Sequence, residues 1–147
     1  MVNVQKGDNL RVLGLDVGEK RIGVAISDSL GWTAQGLTTI NRTDDKKKDI
    51  EMLLEIIEQQ DATGIVIGLP RNMNGTYGTQ AESIKRFAKE LAKQTSIKIE
   101  FWDERLTTVA AEKTLIAANM SRKKRRQVVD KVAAVLILQG YLEYKNS

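Results

Sequence analysis

The chain has 147 residues, a length suited to one compact domain with its own core. It contains neither cysteine nor histidine, which excludes disulfides, thiol nucleophiles, Cys- or His-rich metal sites and any Ser-His-Asp triad, so hydrolytic chemistry has to rest on carboxylates, lysines or metal-bound water. The net charge is +4, and the excess gathers in Arg122, Lys123, Lys124, Arg125 and Arg126, a block of the kind that attracts polyphosphates.

Residues 1–9 are polar, lack the apolar core of a signal peptide and read as a flexible N-terminus. Residues 10–17 then read as a buried strand, 18–21 as a tight turn and 22–27 as a second strand of apolar and small residues, which makes a hairpin. After a loop around Gly31, residues 36–40 form a third, edge-like strand. Residues 45–60 set Ile50, Leu53, Leu54 and Ile57 at helical spacing against a charged face, the pattern of an amphipathic helix. A short strand over 65–67 is closed by Gly68, a loop over 69–78 holds Pro70, and a second helix over 79–93 turns Ile84, Phe87, Ala88 and Leu91 inward. Residues 97–102 are the fifth strand. Helices over 107–118 and 128–144 close the chain, the last preceded by a basic turn capped by Ser121. The longest apolar run, 132–138, is too short to span a bilayer, so the expectation is a cytoplasmic protein with no membrane partner.

The order β-β-β-α-β-α-β-α-α predicts an α/β fold on a five-stranded mixed sheet. Strands one, four and five should run parallel, strands two and three should complete an antiparallel meander at one edge, and helices should flank both faces. A single domain over 1–147 is expected, with no repeat and no linker long enough to divide it.

Acidic residues fall where such a sheet places ligands. Asp16 lies at the C-terminal end of the first strand, and Gly18 beyond it lets a substrate or metal approach the backbone, although Asp-Val-Gly also simply makes a turn. Asp103 and Glu104 follow the fifth strand; side-chain alternation allows one of them into a given cavity, and the pair also suits a helix start. Asp130 shares a helical face with Ala133, Ala134, Ile137 and Tyr141 and should point inward, where a carboxylate needs either a Lys or Arg partner or a divalent cation. Several carboxylates in one cleft repel one another unless a divalent ion balances them, and Mg²⁺ or Mn²⁺ is the hard, oxygen-seeking choice. Two such ions about 4 Å apart hydrolyse a phosphodiester without an imidazole.

Positive charge lies around the same sheet end. Arg122, Lys123, Lys124, Arg125 and Arg126 precede the helix bearing Asp130, Lys20 and Arg21 occupy the first turn, and Arg105 follows Glu104. The loop holding Arg71 and Asn74 offers amides and a further cation for phosphates. These side chains are the candidate nucleic-acid contacts. Trp32 is available to stack on a base, whereas Trp102 fits core packing.

Four blocks carry a family resemblance: Gly14-Leu-Asp-Val-Gly-Glu-Lys-Arg-Ile-Gly-Val-Ala-Ile-Ser-Asp28, Gly68-Leu-Pro-Arg-Asn-Met-Asn-Gly75, Asp103-Glu-Arg-Leu-Thr-Thr108 and Val129-Asp-Lys-Val-Ala-Ala-Val-Leu-Ile-Leu-Gln139. In this order, and spread over nearly the whole chain, they resemble the YqgF family. The resemblance implies an RNase H-like bacterial hydrolase of the two-metal nuclease type, related to RuvC-type Holliday-junction resolvases. It also implies a cytoplasmic role at the 5′ end of pre-16S rRNA in ribosome biogenesis, with a resolvase acting on four-way DNA junctions as the alternative. Carried over block by block, the catalytic and metal-binding acids are Asp16, Glu104 and Asp130, with Asp103 second to Glu104. Two Mg²⁺ or Mn²⁺ ions are the cofactors implied. The partners implied are structured or single-stranded RNA or branched DNA, and a pre-ribosomal particle, with the protein a monomer or weak homodimer. Glu19 departs from the family pattern, where threonine or another small residue is expected.

Two rival readings compete. The first block also resembles the phosphate turn of actin-like and sugar-kinase ATPases, but those clamp nucleotide between two such domains, and this chain has room for one. The other rival is a non-catalytic nucleic-acid-binding accessory factor. Such a binder gains affinity by discarding acids near phosphates, and all three acids are present.

Overall fold

A computed structural model describes residues 10–70, 77–103 and 121–146. Five strands form one mixed sheet: β1 (Val12–Val17), β2 (Arg21–Ser27), β3 (Ala34–Asn41), β4 (Gly64–Leu69) and β5 (Lys98–Asp103), in the spatial order β3-β2-β1-β4-β5. β1 pairs antiparallel with β2 and parallel with β4, β2 pairs antiparallel with β3, and β4 pairs parallel with β5. This is the topology expected from the sequence. Between Val24 and Ala25 the β2–β3 register shifts, leaving Leu37 as an extra residue on β3. The expected helix over 107–118 and the N-terminal residues 1–9 lie outside the described residues.

Among the described residues, three helices cover the two faces. α1 (Lys46–Gln59) starts at Asp45, whose side chain accepts from the Lys47 amide, and buries Ile50, Leu53 and Ile57. α2 (Thr79–Ala92) buries Ala81, Ile84, Phe87, Ala88 and Leu91. Both helices pack on the face of the sheet carrying Leu13, Leu15, Val17, Ile65 and Ile67. The alternate residues Ala25 and Val66 point to the other face, where α3 (Arg122–Lys145) lays down Ala134, Ile137, Leu138 and Leu142. Among the described residues no helix is long and apolar enough to cross a membrane.

The last helix begins earlier than the sequence suggests. Residues 122–126, expected as a basic turn, form its first turns, with Ser121 at the N-cap accepting from the Lys124 amide at 3.2 Å. Cations are disfavoured at a helix N-terminus, which argues for a turn, but arginine, lysine and glutamine are good helix formers and the serine cap satisfies an orphan amide.

α3 crosses the sheet with its backbone very near the strands, because glycines and alanines remove side chains where they meet. A Cβ at Gly14 would stand 2.6 Å from the Leu138 Cβ, and one at Gly23 would stand 1.8 Å from the Asp130 carbonyl oxygen. At the far edge, Trp102 lies beside Gly140 and meets Tyr141 edge-on at 6.2 Å between ring centroids, the packing role expected for it.

Edge strand β5 is also tied to α3 by the Tyr141 hydroxyl, which donates to the Glu100 carboxylate. That bond is the largest cause holding the Glu100 carboxyl below its ordinary 4.5, with Lys98 assisting and partial burial opposing. Desolvation, followed by Glu100 itself, pushes the Tyr141 hydroxyl above its ordinary 10.0. A depressed carboxyl contributes stability that is present above its unfolded pKa and is lost as pH falls through the folded value. A raised phenol contributes stability that is present below its unfolded pKa and is lost as pH rises toward the folded value. Tyr141→Phe is therefore expected to cost about 1 kcal/mol near neutrality and to flatten the loss of stability below about pH 4.5 and above about pH 10. Urea denaturation across that range checks this, and a variant with the wild-type pH profile would show that the pair adds nothing.

Candidate active site

β1 and β2 build the site from the backbone outward. In their antiparallel ladder Asp16 stands opposite Gly23 and Gly14 opposite Ala25. Cross-strand partners point to the same face, so Asp16 shares the α3 face with Gly14, Gly23 and Ala25, while Leu13, Leu15 and Val17 fill the opposite core. Asp16 is buried, at 8 % exposure. The backbone of Asp130 lies directly on Gly23, the cross-strand neighbour of Asp16. Two acids 114 positions apart in the chain thus reach one face of the sheet at the C-terminal end of β1, which is where open α/β sheets place their ligands.

Asp130 has an ion-pair partner within the chain. Arg21 Nε donates to its Oδ2 at 2.8 Å, and the two side chains are 29 % and 16 % exposed. Arg21 was expected to contact nucleic acid; here it is the cation beside the acid. It also sits on the α3 face, two residues before Gly23 on the same strand.

An open cleft of about 780 Å³ adjoins this place, with Gly18, Glu19, Lys20, Arg21, Arg42 and Asp130 among its lining residues. Glu19, the departure from the family pattern, is exposed on its wall. Thr79, Gln80 and Ser83 on α2 form the opposite wall.

The cleft floor depends on a buried node that sequence reasoning missed. Asp49, on α1, is fully buried and accepts from Arg42 Nε at 3.2 Å, the Thr43 amide at 2.8 Å and Thr43 Oγ1 at 3.0 Å. Arg42 in turn donates to the Gly18 carbonyl at 2.7 Å and lies over the Phe87 ring, 5.0 Å from its centroid. The turn that follows Asp16 is thereby fastened to α1 and α2. The available signal was a charge one residue before Ile50 and four before Leu53, on the inward stripe of α1.

The remaining candidate acid among the described residues, Asp103, is placed by strand parity. Asp103 is the last residue of β5, opposite Leu69, rather than the first residue after the strand. Trp102 and Glu100 face α3, and Ile99 packs on the α1 and α2 core, so Asp103 shares the parity of Ile99 and points away from Asp16. Glu104, Arg105, Arg71 and Asn74 lie outside the described residues. Lys20 and Lys124 are exposed. The side chains of Arg122, Lys123, Arg125 and Arg126 lie outside the description, although their backbone forms the start of α3.

Among the described residues no three His, Cys, Asp or Glu side chains gather as a metal cluster. Asp16 and Asp130 offer oxygen donors alone, which suit a hard divalent cation, and a cationic guanidinium already answers Asp130.

Comparisons with known proteins bear on this arrangement. The family described as "RuvX: Holliday junction resolvase" matches residues 10–144. A relative in Carboxydothermus hydrogenoformans, named "Putative pre-16S rRNA nuclease", is 62 % identical over 93 % of this chain and 99 % of its own. Relatives of the same name in Heliobacterium modesticaldum and Clostridioides difficile are 57 % and 56 % identical, over 92 % of this chain in each case and 91 % and 95 % of their own. Thermus thermophilus RuvC, solved in complex with a Holliday junction substrate, superposes with a TM-score of 0.56 at 11 % identity, covering 94 % of this chain and 96 % of that one. At that identity the likeness is one of fold, and the fold is RNase H-like.

Proposed function

Because the chain belongs to the RuvX family, we propose that it is a metal-dependent nuclease that processes the 5′ end of pre-16S rRNA in the cytoplasm during ribosome biogenesis. The names of the relatives supply the substrate. The chemistry rests on one observation: the β1–β2 register and the seating of α3 on Gly23 bring Asp16 and Asp130 to a single face beside a cation-lined cleft.

Glu104 completes the set in this reading. The block Asp103-Glu-Arg-Leu-Thr-Thr108 supports this, since its second acid is the one the family resemblance assigns, and Asp103 takes the face away from Asp16. Asp16, Glu104 and Asp130 are the residues that would hold two Mg²⁺ or Mn²⁺ ions. Such ions, when bound, supply an activated water and charge stabilisation at the leaving oxygen. The chain's own residues do the rest. The buried setting of Asp16 and the packed backbone under Asp130 fix their carboxylates before substrate arrives. Lys20 on the cleft wall, together with Arg71, Asn74, Arg105 and the cations from Arg122 to Arg126, is assigned to the phosphate backbone, which gives affinity without reading sequence.

A Holliday junction resolvase is the second reading, favoured by the family's description. The deciding experiment incubates the purified protein with 5′-extended pre-16S rRNA, an unrelated single-stranded RNA and a four-way DNA junction, with Mg²⁺, with Mn²⁺ and with EDTA. Metal-dependent shortening of the precursor at its 5′ end is expected. Cutting confined to the junction would replace this reading with the resolvase, and metal-independent binding without products would replace both with the accessory factor.

A further inference from the structure

Asp130 carries a carboxylate that the proposed centre needs and that Arg21 already holds, Nε to Oδ2, at 2.8 Å. The pair is not required to dock α3. Ala134, Ile137, Leu138 and Leu142 are buried against Ala25 and Val66, and the helix backbone rests on Gly14 and Gly23. A partly exposed ion pair adds at most about 1 kcal/mol to stability in any case. What the pair does supply is charge balance, where two carboxylates share one sheet face.

Among the described residues the neighbouring cations differ from Arg21, and Lys20 stands exposed on the cleft wall. Arg42 bonds Asp49 and the Gly18 carbonyl, and the aliphatic stem of Lys131 lies against Gly36 on β3. Arg21 is anchored by its backbone, since its carbonyl accepts from the Gly18 amide at 2.9 Å and its Cα pairs with Asn41, yet its side chain lines the open cleft. Rotation about side-chain bonds is enough to move the guanidinium from the acid into the cleft without disturbing the sheet.

From these contacts we infer that Arg21 is a resident counter-ion at the metal position. Before loading, its guanidinium offsets the acids on the α3 face. On loading, it yields Asp130 to the divalent ion and turns into the cleft, where it binds a phosphate of the nucleic-acid backbone, a role for which a planar fork of donors is suited. Arg21 is thus a positioning residue that couples metal entry to substrate binding: each favours the state in which the guanidinium has left Asp130, so each strengthens the other. This inference rests on the carboxylate centre proposed above.

Two measurements that do not depend on turnover test it. In the wild type, ¹⁵N NMR of the Arg21 Nε–H group is expected to show a hydrogen-bonded, exchange-protected proton without metal, and loss of that protection as Mg²⁺ is added. In calorimetric titration with Mn²⁺, Arg21→Gln is expected to bind about tenfold more tightly than the wild type, within the usual span of such couplings. Arg21→Lys, which keeps the charge but not the Nε–H donor, should fall between them and serves if the glutamine variant does not fold. An Nε–H signal unmoved at saturating Mg²⁺, or variants that bind Mn²⁺ no better than a wild type that does bind it, would overturn the counter-ion role while leaving the metal centre standing. Wild type and Asp130→Asn alike failing to bind Mn²⁺ would overturn the centre itself and this inference with it.

Discussion

Gly23→Ala is expected to destabilise the protein by about 3 kcal/mol or more and to lower cleavage at least about a hundredfold. The added Cβ would meet the Asp130 carbonyl oxygen at 1.8 Å, its carbonyl carbon at 2.2 Å and the Lys131 nitrogen at 2.8 Å. All three are backbone atoms, so no rotamer relieves the clash and the helix itself has to withdraw, by roughly 1.5 Å to regain ordinary contact. Asp130 moves with it, out of reach of a position shared with Asp16. Gly36→Ala is the internal control: its Cβ would meet the flexible Lys131 side chain, at 2.9 Å from Cγ, which has room to give. Chemical denaturation and initial cleavage rates of both variants check the pair. Wild-type values for Gly23→Ala would mean that α3 does not seat on β2 as described.

That effect explains why part of the site was legible in the sequence and part was not. The strands and the inner faces of α1 and α2 are local patterns: Ile84, Phe87, Ala88 and Leu91 announce a buried stripe at helical spacing whatever lies beneath them. Asp16 was legible for the same reason, as an acid at a strand end followed by glycine. Gly23, inside a strand, marks a close backbone approach, but what approaches it comes from a helix more than a hundred residues later. The Arg21–Asp130 pair and the Arg42–Asp49–Gly18 node are likewise products of tertiary assembly. Charge alone assigned Arg21 to a phosphate; only the fold seats it on an acid. The start of α3 was misread because the density of positive charge argued for a turn over helix propensity, so that Ser121, recognised as a cap, was placed on a turn rather than on the helix itself.

Asp16→Asn tests the chemistry of the buried acid while leaving the Arg21–Asp130 pair in place. Asparagine has almost the same shape as aspartate, so the packing of this buried position is kept while the charge goes. A divalent ion stabilises the transition state of phosphodiester hydrolysis by several kcal/mol; losing about 4 kcal/mol of that is roughly a thousandfold in rate. Cleavage by Asp16→Asn is therefore expected to fall by at least about a thousandfold. In EDTA the variant should melt close to the wild-type temperature, because asparagine keeps the shape of the buried side chain and one of its oxygen acceptors. Adding Mg²⁺ should raise the midpoint of the wild type, as any ligand of the native state does, and leave that of the variant nearly unchanged. Melting curves with and without metal, beside single-turnover cleavage, decide the matter. A variant that loses several degrees in EDTA would make the Asp16 carboxylate a structural group, and one that still cuts at a near wild-type rate would remove it from the chemistry altogether.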